Sequence, residues 1–232
     1  MCTREEGSQD GPAPVAKLYN TRRAIGKTGI LGCGYGMGAA RALEYMMTYP
    51  ELEPQIEEGV IDLLFAKRLV DGYREKYRMI PKFWHDLEAT FVYVTRYGQE
   101  RMLRGLHLSR QGTTTVLRLP SSRCLFYHGA ALDSSGHISY QAGPTREKLW
   151  GGTLTENVVQ AMSRDVLAEA ILYIEDHGFR VAHHVYDSVV VVAHKDQDTL
   201  AFACVSEALT RVPTWAEGWP MGVETTIGRR YD

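Results

Sequence analysis

Apolar positions recur with a helical period in the first part of the chain and with a strand period later. From residue 20 to about residue 98 the pattern is helical. Over residues 55–76, Ile56, Val60, Leu63, Leu64, Val70 and Tyr73 recur about every 3.6 residues, which predicts an amphipathic helix. Pro81 suits the first position of another helix, one that carries Phe83, Trp84 and Leu87 inward. The character then changes. Residues 113–119 are β-branched and alternating, residues 124–128 form a short apolar run, and residues 137–140 offer a neighbouring strand. A long helix follows over about 154–175, with Val159, Met162, Val166, Ala170 and Ile174 on one face and Gly178 where a C-cap glycine belongs. Residues 179–185 and 188–193 read as two strands joined at Tyr186 and Asp187. A helix near 198–209 and a short strand at 223–227 complete the pattern, which predicts an α+β chain: a helical block, then antiparallel sheet with packed helices.

Composition changes this picture little. The chain has 232 residues, 44% hydrophobic and 23% charged, enough for one or two domains with a core. Its net charge of -2 gives no overall basic field, but a neutral total is compatible with a cleft where acids face bases. Cys2, Cys33, Cys124 and Cys204 are too scattered for a zinc cluster or disulfide framework, which fits a reducing cytoplasm. No apolar run reaches the roughly 18–20 residues of a membrane span. The first 14 residues carry acids where a signal peptide is apolar, and residues 1–19 read as a flexible leader.

The glycine-rich stretch from Arg22 to Gly38 holds the richest chemistry, and it admits several readings. Gly26-Lys27-Thr28 matches the end of a P-loop, but Thr21 stands where that motif requires its first glycine. Gly34-Tyr35-Gly36-Met37-Gly38-Ala39 satisfies a relaxed dinucleotide fingerprint, with Ile30 and Leu31 before it, which would make the chain a dinucleotide-binding oxidoreductase. The helical pattern of residues 40–78 offers no second strand for that fold. Alternatively, Arg23, Lys27, Leu31 and Tyr35 recur every four residues and share one helix face. Two cations followed by an apolar residue and an aromatic suit a nucleotide, with phosphate on the cations and base beside the ring. An ordinary amphipathic helix with a glycine-rich end accounts for the same residues.

On these positions the chain resembles the family A DNA polymerases, in particular their bacteriophage branch. Arg23, Lys27, Tyr35 and Gly36 match the family's fingers-helix pattern, with Leu31 where an aromatic is usual. Further matches follow in order. Leu119-Pro120-Ser121-Ser122-Arg123 is similar to an L-P-S-G-R strand pair, and Glu156-Asn157-Val158-Val159-Gln160-Ala161-Met162-Ser163-Arg164-Asp165 to an E-N-x-x-Q-A-x-x-R-D helix. His184-Val185-Tyr186-Asp187-Ser188 resembles the V-H-D-E hairpin, with Tyr186 at the histidine and Ser188 at the glutamate. Residues 213–220 with Arg229, Arg230 and Tyr231 resemble the closing segment.

The resemblance implies residues 20–100 as helical fingers and 101–232 as C-terminal palm. It implies a template-directed polymerase that adds deoxynucleotides to a primer 3′-hydroxyl, with Arg23, Lys27 and Asp187 as catalytic residues. Arg23, Lys27, Leu31, Tyr35 and Gly36 are then nucleotide-binding, and Gln160, Tyr35 and Tyr186 face DNA. Asp187 would be a ligand of a two-metal Mg²⁺ site. His183 and His184 adjoin it, but neighbours on a strand face opposite sides and ill suit one ion. The family's first metal aspartate, its thumb and its exonuclease have no counterpart in the sequence, and Asp62, Asp71 and Asp86 sit on helical stretches. The expectation is a split polymerase, completed by a partner chain carrying the missing palm, thumb and exonuclease, acting on primer–template DNA in an infected bacterial cytoplasm. A polymerase-derived DNA-binding or assembly subunit that has lost catalysis is the alternative, with Ser188 as its sign.

Overall fold

The helical block forms because glycine and capping signals cut its apolar pattern into short helices. A computed structural model of the chain describes residues 13–230. Helix α1 (Ala13–Lys27) runs into a π-helical segment, Thr28–Gly32, and is followed by α2 (Ala39–Met46), α3 (Glu53–Glu57), α4 (Leu63–Lys76) and α5 (Met79–Tyr97). Helix α1 reaches back to Ala13, so residues 13–19 of the expected leader are helical; residues 1–12, like Tyr231, lie outside the described part.

The single helix expected over residues 55–76 is two. Gly59 adopts φ +71°, which ends α3, and Asp62 then caps α4 by accepting from the Phe65 amide at 2.7 Å. The interruption resets the helical phase. Ile61, Ala66 and Val70 are buried, whereas Val60, Leu63 and Leu64 are each more than half exposed. With Ala24, Cys33, Ala42, Met46 and Leu52, the buried three form one apolar core.

The later part is antiparallel throughout its paired strands. Strands β1 (Arg101–Leu103), β2 (Leu106–Gln111), β3 (Thr114–Arg118) and β4 (Cys124–Tyr127) form a four-stranded sheet in chain order. A three-stranded sheet follows from β5 (Ala131–Leu132), β6 (Ile138–Ala142) and β7 (Thr145–Leu149). Helix α6 (Gly151–Asp176) leads to the hairpin of β8 (Arg180–Val185) and β9 (Ser188–Val192), and then to α7 (Asp198–Thr210). The fold is α+β. The expected strand at 223–227 is absent: those residues are irregular, although Thr225 accepts a hydrogen bond from Ser206 at 3.0 Å.

The chain divides into two compact units. One holds the residues up to Ala89 together with Lys148–Glu156; the other holds Thr90–Glu147 and the residues from Asn157 onward. These compact units divide within α5, and the start of α6 belongs with the first of them. Helix α6 also departs from expectation. Its buried line is Leu154, Val158, Ala161, Leu167, Ala170 and Ile174, while Val159 is 41% exposed. Of the face expected inward, Ala170 and Ile174 are buried and Met162 and Val166 half-buried; Val159 turns outward because apolarity was read without the polar contacts that fix the helix's rotation.

No helix among the described residues is long and apolar enough to cross a membrane.

Candidate functional site

In the first unit, the cationic face survives in part. Arg23, Lys27 and Leu31 are exposed, with Leu31 at 52%, whereas Ala24, Thr28, Gly29 and Gly32 are buried behind them. The π-helical segment explains how the three stay aligned. Four residues overshoot one α turn of about 3.6, but they fall short of the wider π turn. The offset from Arg23 to Lys27 is thus partly reversed from Lys27 to Leu31. Thr28, at the junction, satisfies its buried hydroxyl by donating to the Ala24 carbonyl at 3.1 Å.

Tyr35 is not the fourth member of that face. The helix ends at Cys33, and Tyr35 and Gly36 lie in a turn whose amides donate to the carbonyls of Gly32 and Cys33 at 3.1 and 3.2 Å. The four-residue spacing was read through glycines that unwind the helix. The same geometry removes the dinucleotide reading, because Ile30 and Leu31 lie in the π segment and, among the described residues, no strand precedes the fingerprint.

Packing fixes this turn. Gly36 adopts φ +91°, and a Cβ there would stand 2.1 Å from the Trp150 ring; one on Gly152 would stand 2.3 Å from it. The indole therefore occupies the space that two absent side chains leave. Trp84 meets Trp150 edge-on at 5.9 Å and donates its indole N–H to the Gly34 carbonyl at 3.1 Å. Glu88 accepts from the Gly151 amide at 2.9 Å, which fixes the first turn of α6. Burial raises the Tyr35 phenol pKa, and the Glu156 carboxylate adds to the rise.

In the second unit, two of the sequence motifs meet. Asp165 accepts from the Ser121 hydroxyl and from Arg123 Nε, both at 2.5 Å, and a second Arg123 nitrogen donates to the Ala161 carbonyl at 2.6 Å. One turn earlier, Asn157 donates to the Tyr127 hydroxyl at 3.2 Å. Residues 157, 161 and 165 are spaced by four, so this polar column turns α6 toward the β3–β4 turn. Gln160 lies beside the column and is exposed. The turn itself is strained: Ser122 adopts φ +71°, a conformation that favours glycine.

Tyr127 yields a pH prediction. Burial pushes its pKa up to about 12; the Asn157 hydrogen bond lowers it, and Tyr140 raises it further. The folded value exceeds that of the unfolded chain, near 10, so this contribution is complete below pH 10 and lost as pH rises through about 12. Two such steps correspond to roughly 3 kcal/mol at most. Denaturant titrations at rising pH are expected to show alkaline loss of stability that is smaller in Tyr127→Phe.

The β8–β9 hairpin presents Asp187. Val185 pairs with Ser188, leaving Tyr186 and Asp187 as a two-residue turn. Tyr186 takes φ +50° and is 93% exposed. Glycine normally fills a positive-φ position in such turns, so an aromatic side chain is held here against a local backbone cost. Asp187 is exposed beside it. Ser188 spends its hydroxyl on the Val185 carbonyl at 2.9 Å. The His183 and His184 rings are exposed and lie 6.4 Å apart at 24°, so they do not diverge as strict strand alternation predicts; a bulge precedes them between Val181 and His183.

Among the described residues, no group of three or more His, Cys, Asp or Glu side chains could hold a metal ion. Asp62 is engaged as the α4 cap, Asp71 pairs with Lys67 at 2.5 Å, and Asp86 pairs with Lys82 at 2.7 Å. A Mg²⁺ site needs one or two carboxylates, with waters and substrate phosphates completing six oxygens. The exposed Asp187 fits as one such ligand, and the hairpin supplies no second.

Comparison with known proteins relates this chain to a viral polymerase. It is 28% identical over 221 residues to the DNA polymerase of Bacillus phage SP02, covering 90% of this chain. The chain spans about a third (32%) of that relative's length. No family model matches, and no solved structure matches. The chain is thus related to a phage DNA polymerase.

Proposed function

We propose that this chain is the fingers and C-terminal palm portion of a family A, template-directed DNA polymerase, active together with a polypeptide that supplies the remaining palm and thumb. The likeness to the phage polymerase along 90% of the chain carries this reading. In it, Arg23 and Lys27 hold the triphosphate of an incoming deoxynucleotide by charge-assisted hydrogen bonds. Leu31 lies against its sugar, and Tyr35 with Gly36 borders the templating base. Gln160 and Tyr186 touch the primer–template. Asp187 is this chain's ligand for Mg²⁺, and the opposing aspartate comes from the other polypeptide. Bound Mg²⁺ would neutralise phosphate charge and lower the pKa of the primer hydroxyl. The serine at position 188 keeps the hairpin closed and adds no charge, so Asp187 alone sets this chain's share of the metal field.

Ser188 also favours a second reading, a DNA-binding subunit without catalysis. Primer extension in the presence of the completing polypeptide separates the two. For the polymerase, Lys27→Ala is expected to raise the deoxynucleotide KM about tenfold or more, equivalent to one charge-assisted hydrogen bond. Absence of extension by the folded, associated pair would leave the non-catalytic subunit as the better account.

A further inference from the structure

The turn that carries Tyr35 has little means of holding its own shape. Residues 32–38 include four glycines, Gly32, Gly34, Gly36 and Gly38. Glycine lacks the side chain that restricts φ and ψ, so a free segment of this composition samples many conformations. Local hydrogen bonds supply one restraint: the Tyr35 and Met37 amides donate to the Gly32 carbonyl at 3.1 Å, and the Gly36 amide to that of Cys33 at 3.2 Å. A second restraint comes from far along the chain.

Trp150 is that restraint. Cη2, Cζ2 and Cζ3 of its indole fill the place a Gly36 side chain would take, and Cη2 and Cζ2 fill that of Gly152. A Cβ on Gly152 would also stand 2.7 Å from the Tyr35 carbonyl oxygen, so the first turn of α6 lies against the backbone of Tyr35 itself. The indole is held in turn by Trp84, which packs on it edge-on and bonds the Gly34 carbonyl. Gly151 permits this, because a Cβ there would overlap the Trp84 carbonyl. All of these residues belong to the first unit. Trp150 stays 42% exposed and outside the apolar core built on Ala24, Met46 and Val70, so its packing serves the turn.

We infer that Trp150 is a positioning residue for nucleotide selection: by clamping the Tyr35–Gly36 turn, it fixes where Tyr35 stands beside the templating base. The inference rests on the polymerase reading above, which puts Tyr35 and Gly36 at that base. Trp150 acts through Tyr35, whereas Arg23 and Lys27 precede the glycines on α1 and hold the triphosphate without it. Loss of the clamp therefore slows insertion of a matched nucleotide, whose alignment needs the fixed turn, and leaves its binding nearly unchanged. A mismatched nucleotide does not fit the fixed geometry and loses less, so discrimination falls.

The test is single-nucleotide primer extension by the full chain with its completing polypeptide, measuring kcat and KM for a matched and a mismatched deoxynucleotide. Trp150→Ala is expected to lower the matched kcat about tenfold to a hundredfold while KM changes little, and to lower the ratio of matched to mismatched kcat/KM. That ratio compares two substrates on one protein, so a smaller folded fraction does not alter it. Trp150→Phe, which keeps a ring at the turn, is expected to restore most of the ratio, and Trp150→Leu gives the reading if the alanine variant does not fold. Gly152→Ala, which displaces the indole from the α6 side, is expected to reproduce the loss. Gly38→Ala, whose Cβ would meet nothing within 4 Å, leaves the ratio unchanged. Unaltered discrimination in the Trp150 variants and in Gly152→Ala, in a pair that extends primers, overturns the inference alone and leaves Trp150 as packing. No extension by the unaltered, folded and associated pair overturns the polymerase reading, and the inference with it.

Discussion

Gly36→Ala is expected to destabilise the first unit by about 2–5 kcal/mol. Two costs combine. A left-handed backbone costs a non-glycine residue roughly 1–2 kcal/mol. The new Cβ would also stand 2.1 Å from Trp150, inside any tolerable contact, so the ring must move. Trp150 is 42% exposed, so its ring can yield only outward, giving up its packing on Gly152 and on Trp84. Overpacking of this kind adds about 1–3 kcal/mol. Gly26→Ala provides the control. Its Cβ would meet nothing within 4 Å in α1, so it is expected to stabilise by up to about 1 kcal/mol. Urea titration followed by tryptophan fluorescence measures both, since Trp84 and Trp150 lie at the perturbed site. In a Trp150→Leu background the penalty of Gly36→Ala should shrink, because the clash is removed and only backbone strain remains. An undiminished penalty there would show that the indole does not hold the turn.

The contrast between Gly36 and Gly26 explains much of what the sequence made legible. Glycines were visible as residues, but the two meet different neighbours, and those neighbours are distant in sequence. The α+β class followed from the change of apolar period, and the hairpin of β8 and β9 from two β-branched runs flanking Tyr186 and Asp187. The cationic face was legible through its spacing as far as Leu31. It failed at Tyr35, where the spacing continues after the helix has ended. The Gln55–Lys76 pattern failed for a similar reason: Gly59 breaks the helix while the apolar residues continue. Strands β1 and β2 were missed because arginine and histidine interrupt their apolar alternation, and only pairing across Arg104 and Gly105 defines them. The Asp165 contacts with Ser121 and Arg123 join motifs more than 40 residues apart, a proximity that no local pattern encodes.

The second large effect concerns Asp187. An exposed acid in a tight turn can be a turn-former, and that role would tolerate asparagine, which supports similar turn geometry. A metal ligand would not tolerate it, because the amide lacks the charge that Mg²⁺ requires of its few protein ligands. The hairpin provides no substitute: Ser188 is neutral and engaged with Val185, and the described residues contain no cluster of three or more His, Cys, Asp or Glu side chains that could hold a metal ion. The two roles therefore predict opposite outcomes for one substitution. Asp187→Asn should preserve the folded hairpin and its stability within about 0.5 kcal/mol, as for a surface change.

The most direct measurement is single-nucleotide primer extension by this chain with its completing polypeptide, comparing the unaltered protein, Asp187→Asn and Asp187→Ala across a Mg²⁺ series. The account predicts extension that depends on Mg²⁺ and falls on the order of a thousandfold in both variants, the scale of losing a charge aimed at the transition state. Primer–template binding should remain. Extension by Asp187→Asn at the unaltered rate would contradict the account and leave Asp187 as a residue of the turn.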